Sequence, residues 1–429
     1  MLELGCGDGG NLVPMAVALP GASFAGIDTA AGAIERGRGL VEALDLDNIA
    51  LEQRAIEDLA PERGGFDYVI AHGVYSWLAP AARGRLLAVC REALAEGGVA
   101  YVSYNALPGW RLRQALRDML RFHTAGTEDP RERIDEARAF LRLLLEGWPL
   151  VHTQVEQLLS RSDAGLLHDE LAQVNEPVYF EQFVAHAGRH GLQYLAEADF
   201  FEMQIGVASE RITTALLEVE DPVRREQYLD FLKGRMFRQT LVCRADEAVD
   251  RSPNPERLRD LAVSTQAKRR DDGFEGPTGT RLTTDNPVVL AALGRAAEAW
   301  PAAVWVRDLA AADAAGVSLC DALLRAYAAN LVALHVHPPP LTTTPGERPR
   351  TTALVRHQAA SADAVTNLRH TTVRIEDDLG RRLLTLLDGT RDRAALIAEL
   401  RDVALSEDQL REGLEASLQG LARLALLQG

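Results

Sequence analysis

Short apolar runs alternate with amphipathic stretches along this chain. "LEL" (2–4) is apolar and short, as a buried parallel strand is, and "ASFAGID" (22–28) reads as a second strand. Each is followed by a helical stretch, "NLVPMAVALP" after the first and "TAAGAIERGRGLVEAL" after the second. Further on, Leu112, Leu116 and Leu120 share one helical face, as do Ala137, Leu141 and Leu145, which predicts two more helices. "FRQTLVCR" (237–244) alternates as a strand, and the segment 210–235 before it reads as helical. Residues 247–285 are polar, charged and dotted with Gly and Pro, which predicts a linker or a loosely packed arm. Beyond it, segments 288–337 and 380–428 each run helix, short strand or helix, helix, strand. They predict a loose internal repeat of winged-helix-like units, joined by the Pro-rich "HVHPPPLTTTPGERPR".

Between the first strand and its helix lie Gly5, Gly7 and Gly9. Glycine lets a backbone adopt positive φ and pass close to a ligand. Asp28 ends the second strand, where an acid can accept both hydroxyls of a ribose. Glycine turn and acid together predict a nucleoside-binding α/β domain. The spacing is E-x-G-x-G-x-G from Glu3, which differs from the dinucleotide pattern G-x-G-x-x-G.

This opening resembles motif I of the class I S-adenosylmethionine (SAM) methyltransferases. The likeness continues in "RAIEDLAPERGGFDYVIAHG" (54–73), similar to the family's third-strand end and fourth strand, and in "LLAVCREALAEGGVAYVSYNA" (86–106), similar to its fourth helix, a Gly-Gly turn and fifth strand. The resemblance implies a Rossmann-like α/β sheet of seven strands, the last two an antiparallel hairpin at one edge. It implies SAM as cofactor, held by Glu3, Gly5, Cys6, Gly7, Gly9, Asp28, Ile56, Glu57 and Ala71, with Ala55, Ile56 and Glu57 flanking the adenine. Residues 104–146 and 168–200 resemble the methyltransferase regulatory domain, whose bearers include bacterial protein-lysine methyltransferases, some acting on outer-membrane proteins. On that basis the domain expectations are a methyltransferase domain over 1–246, a helical insertion or substrate cover over 107–176 within it, a linker over 247–285, and a mainly α winged-helix-like region over 286–429. The class ordinarily has a helical lead-in before strand one. Met1 stands directly before that strand here, and the expectation is a start assigned too late, with a truncated chain as the alternative.

The net charge of -16 argues against a general nucleic-acid or anionic-membrane binder, because phosphate binding needs a basic face. No apolar run approaches the roughly 20 residues of a membrane span. Cys6, Cys90, Cys243 and Cys320 form no CxxC pair and read as reduced thiols of a cytoplasmic protein. No metal site is expected: His335 and His337 stand two apart with no third ligand nearby. The acceptor is expected to be a protein, with lysine as its nucleophile. A small-molecule acceptor and a non-catalytic SAM-binding scaffold remain the alternatives, and a homodimer through the C-terminal region is open. Catalytic candidates lie at the ends of strands four and five: His72, Tyr75, Tyr104 and Asn105. Trp77 and Trp110 read as packing residues, with an aromatic wall as the alternative.

Overall fold

The computed structural model describes residues 1–205, 209–309, 319–401 and 406–429. Residues 310–318 and 402–405 of the two repeat-like segments lie outside the described residues. Met1–Gly5, Gly26–Ala30 and Glu52–Arg251 form one compact unit; Cys6–Ala25, Ala31–Leu51 and Ser252–Gly429 form the other.

Strands β1 (Leu2–Leu4), β2 (Phe24–Asp28), β3 (Ile49–Gln53), β4 (Phe66–Ala71), β5 (Leu94–Asn105), β6 (Leu192–Glu197) and β7 (Phe237–Arg244) make one sheet in the order β3-β2-β1-β4-β5-β7-β6. β1, β4 and β5 run parallel, and β7 lies antiparallel between β5 and β6. This is the expected seven-stranded sheet with an antiparallel hairpin at one edge. Leu2, Leu4, Val69, Ala71, Ala100 and Val102 are buried, as strands covered on both faces require. The Gly-Gly turn expected before strand five lies inside β5, where the register against β4 shifts.

Helices α1 (Leu12–Ala18), α2 (Ala31–Ala43) and α3 (Pro80–Ala93) connect the parallel strands. Between β5 and β6 the chain adds α4 (Arg111–His123), α5 (Pro130–Gly147) and α6 (His152–Leu159), the short turn α7 (Asp163–Gly165), and α8 (Phe180–Arg189). The leucine face of α4 and the Ala137–Leu141 face of α5 close on a core with Val151, Val155, Leu158 and Leu166. Asp129 caps α5, accepting from the N–H groups of Arg131 and Glu132, and Pro130 follows at the first helical position, where its missing N–H costs nothing. Arg113 of α4 donates to the fully buried Glu170 at 2.6 Å, which ties the far end of the insertion back to its first helix. Helices α9 (Glu210–Leu217) and α10 (Pro222–Lys233) precede β7.

The stretch 247–285 is not a bare linker. Leu258, Val263, Ala267 and Phe274 enter a hydrophobic core with α11 (Pro287–Glu298) and α12 (Leu319–Ala328). Ala262–Ser264 is the middle strand of a three-stranded sheet whose outer strands are Val304–Trp305 and Ala333–His335. The few apolar residues that make this core stand far apart among Gly, Pro and charges, so no local periodicity marked them. His335 Nε2 lies 2.9 Å from Ser264 Oγ on that sheet. A second core gathers Val355, Leu383, Leu384, Leu396, Leu418 and Leu427 in the last quarter of the chain. Arg369 joins the two modules: it donates to the Pro301 carbonyl at 2.9 Å and to Ser264 Oγ at 3.2 Å, and its guanidinium lies 4.2 Å from the Trp300 ring centre. Among the described residues no helix is long and apolar enough to cross a membrane.

Candidate cofactor and acceptor site

Gly5, Gly7 and Gly9 take φ of +78°, +56° and +77°, the left-handed region that side-chain-bearing residues rarely enter. The Gly5 N–H donates to the Ile27 carbonyl at 2.8 Å, which fixes the turn against β2. A Cβ on Gly5 would stand 2.5 Å from Val74 Cγ2, and one on Gly9 3.0 Å from Leu51 Cδ1. At Gly7 a Cβ would meet nothing within 4 Å. The Cβ direction of Gly7 is therefore unobstructed, and its positive φ is what calls for glycine there.

Gly37, in the middle of α2, was not legible as a site residue. A Cβ there would lie 2.4 Å from the Asp8 carbonyl oxygen and 2.6 Å from Leu51 Cδ1, so α2 packs directly on the glycine turn. Gly37→Ala is expected to displace Asp8 and weaken S-adenosylhomocysteine binding about tenfold, the effect of about 1.4 kcal/mol, with overpacking strain of that order. Isothermal titration checks it.

Asp28 is half-buried at the end of β2, where its Oδ1 accepts from the Ala30 N–H at 2.8 Å. Glu3 is buried on β1, Cys6 is buried in the turn, and Ala71 is buried at the end of β4. Ile56 is buried and Glu57 exposed on a short 3-10 turn after β3. The order β2-β1-β4 sets the carboxyl ends carrying Asp28, Glu3 and Ala71 side by side, at the point where the strand order reverses.

The four catalytic candidates fall into two environments. His72 follows β4 and is exposed; its Nδ1 lies 3.1 Å from the Tyr101 hydroxyl and 3.1 Å from that of Ser103. Ser103 in turn accepts from the Gly73 N–H at 2.8 Å. Partial burial holds the His72 imidazole below its ordinary pKa, so it is neutral at neutral pH. Tyr75 is buried: its hydroxyl lies 2.8 Å from His186 Nδ1, and its ring meets Phe183 edge-on. Burial pushes the Tyr75 phenol up to about 12. Tyr104 is also buried, stacked on Phe183 at 4.3 Å with its hydroxyl 3.1 Å from Thr240 Oγ1, and burial raises its pKa well above the usual range. Asn105 is buried as well: its N–H donates to Ser76 Oγ at 2.9 Å and its Nδ2 to Asn175 Oδ1 at 2.6 Å. Trp110 is buried, with the Arg113 guanidinium 5.7 Å from its ring centre.

Tyr101 and Ser103, the partners of His72, were not singled out from sequence. Their alternation with Asn105 along β5, which places all three on one face of the strand, was the available signal. Phe237, the first residue of β7, lies edge-on to His72 with ring centres 6.2 Å apart. It borders a cavity of about 580 Å³ walled also by Glu197, Asp199, Phe201, Glu202 and Lys233.

His186 gives a pH signature. Burial, with His190, Arg189 and Arg83 around it, lowers its pKa to about 4. On acidification the unfolded chain takes up this proton first, because its imidazole keeps the ordinary value. The stability due to neutral His186 is complete above the ordinary imidazole range and falls away from there down to about pH 4. His186→Gln is expected to flatten that acid limb in urea-unfolding midpoints measured across the range.

Three family models match this chain: a methyltransferase domain over residues 2–100, a predicted methyltransferase regulatory domain over 162–244, and the PKMT C-terminal winged helix domain over 347–413. An uncharacterised protein of Rickettsia prowazekii is 31% identical over 437 residues, covering 92% of this chain and 78% of that protein. An uncharacterised protein of Synechocystis is 29% identical over 259 residues, covering 58% of this chain and 51% of that protein. Among solved structures, PKMT2 from Rickettsia typhi, also determined in complex with AdoHcy, has the same fold: TM-score 0.86 at 24% identity, covering 100% of this chain and 94% of that one. The chain belongs to the SAM-dependent methyltransferases that carry a methyltransferase regulatory domain and a PKMT-type C-terminal winged helix domain.

Proposed function

We propose that this protein transfers a methyl group from SAM to the side-chain amine of lysine in a protein. The observation that carries the methyl-transfer part of the reading is the turn in which Gly5, Gly7 and Gly9 all take positive φ, within the stretch that matches a methyltransferase domain. The match to the PKMT winged helix domain, which we read as protein lysine methyltransferase, supports the acceptor class.

When bound, the cofactor supplies an electrophilic methyl on a sulfonium. Asp28 would hold the ribose hydroxyls, and the Gly5–Gly9 turn would hold the methionine portion. Cys6, Ile56 and Ala71 supply apolar wall, with Glu3 buried beneath the turn and Glu57 at the adenine edge. His72 is the candidate that can touch the incoming amine: its side chain is exposed, and it is neutral and able to take up a proton at neutral pH. Tyr75, Tyr104 and Asn105 act as positioning residues, since their polar atoms are engaged inside the wall.

The cavity beside Phe237 has the size of a small-molecule pocket, which favours a metabolite acceptor as the second reading. The test is incubation with methyl-labelled SAM and cell extract, followed by separation of protein from small molecules. Label in protein, recovered as methyl-lysine after hydrolysis and reduced by His72→Phe, is the expected result. Label confined to small molecules overturns the lysine assignment.

A further inference from the structure

Of the 46 Lys and Arg residues in this chain, only Lys233 and Lys268 are lysine. Lys268 lies exposed on a short strand among arginines. Lys233 is the last residue of α10 and lines the cavity of about 580 Å³. Its side chain is 19% exposed. Nζ lies 2.6 Å from the Glu202 carbonyl oxygen, 3.5 Å from Glu202 Oε2 and 5.8 Å from the centre of the Phe201 ring.

A cation in the last turn of a helix is favourable by itself. That role does not ask for lysine: Arg91, Arg121, Arg295 and Arg423 fill it in α3, α4, α11 and the last helix of the chain. Nor does the bond to Glu202, since Arg235 reaches the same carbonyl oxygen at 2.7 Å and the same carboxylate at 3.0 Å. What lysine adds is an amine that can lose its proton and act as a nucleophile. Phe237 lines the same cavity as Lys233 and lies edge-on to His72 with ring centres 6.2 Å apart, so one aromatic ring stands between the cavity of this amine and the exposed histidine candidate.

We propose that Lys233 is itself a methyl acceptor of this enzyme, modified within the same chain; the proposal rests on the methyltransferase reading of the site above. In the step, the neutral Nζ forms a bond to the methyl carbon while the carbon–sulfur bond breaks and leaves its electron pair on sulfur. S-adenosylhomocysteine departs and the nitrogen carries the positive charge as a methylammonium; the proton whose loss makes Nζ neutral passes beforehand from the ammonium to the Glu202 carboxylate and on to water. Burial and Arg235 lower the Lys233 pKa, which increases the share of neutral amine, and the Phe201 face suits the methylated ammonium.

The full-length protein is incubated with methyl-labelled SAM and no other protein, and its peptides are mapped by mass spectrometry. The expected result is a gain of one or more methylenes on the Lys233 peptide alone, at a rate per molecule independent of protein concentration and absent from Lys233→Arg. A second readout needs no turnover: S-adenosylhomocysteine should slow acetylation of Lys233 by acetic anhydride and leave Lys268 unchanged. Binding of S-adenosylhomocysteine with Lys233 unmodified, with label on Lys268, or with a rate that rises with protein concentration overturns the proposal and leaves the site reading intact. No binding of S-adenosylhomocysteine overturns the site reading.

Discussion

Methionine in place of Arg238 is expected to destabilise the fold by about 3–5 kcal/mol, the cost of stranding buried charges by removing their partner. Arg238 is fully buried on β7. Its Nε donates to Asp230 Oδ2 at 2.9 Å, its Nη2 to Glu226 Oε2 at 3.0 Å, and its Nη1 to Glu197 Oε1 at 2.5 Å. Its guanidinium lies 3.8 Å from the Phe180 ring centre, so the one side chain joins β6, β7, α8 and α10. Methionine fills much of the volume and leaves three buried carboxyl groups to share Arg235. Burial already raises the Glu197 and Asp230 pKa values, with Arg238 opposing it. Without that opposition the folded state holds their protons more tightly than the unfolded chain does. Stability of the variant is therefore greatest below the ordinary carboxyl range and is lost as pH rises through the raised values. Urea unfolding should show a deficit that is smaller in acid than at neutral pH. A deficit under about 1 kcal/mol at neutral pH, the level of an exposed pair, would show that the cluster does not carry the hairpin.

The second large effect is on the cofactor. Asp28→Ala is expected to weaken S-adenosylhomocysteine binding about a hundredfold. Two ribose hydroxyls donating to a carboxylate are worth about 1.5 kcal/mol or more each, and about 2.7 kcal/mol corresponds to a factor of 100. Asp28 also accepts from the Ala30 N–H at the start of α2, so alanine removes a local turn as well. Asp28→Asn separates the two roles: it keeps the turn and a neutral acceptor, and is expected to lose only about tenfold, with an unchanged urea midpoint. Equal loss in both variants would assign the effect to the charge alone.

The sheet was legible because its strands are short apolar runs and its first turn carries glycines that need positive φ. Every one of those glycines takes it. The environment of the four catalytic candidates is less legible. Tyr75 and Tyr104 stand among the catalytic candidates because they lie at the ends of strands four and five. What engages their hydroxyls, His186 and Thr240, lies more than a hundred residues further along the chain, and no local pattern announces such a contact. Asn105 is held in the same way by Asn175. Gly37 reads locally as a poor helix former, and only the approach of the Asp8 carbonyl explains it. Arg238 occupies one phase of an alternating strand, where polar residues ordinarily face water; here the face is buried and the charge is met by three acids.

We propose that the glycine turn and Asp28 hold the cofactor. It is tested most directly by titrating S-adenosylhomocysteine into the purified wild-type chain by calorimetry, with Asp28→Ala alongside. The expected result is one saturable site per chain and a site about a hundredfold weaker in the variant. A folded wild-type chain that gives no saturable heat, or an Asp28→Ala variant that binds as tightly, would contradict it.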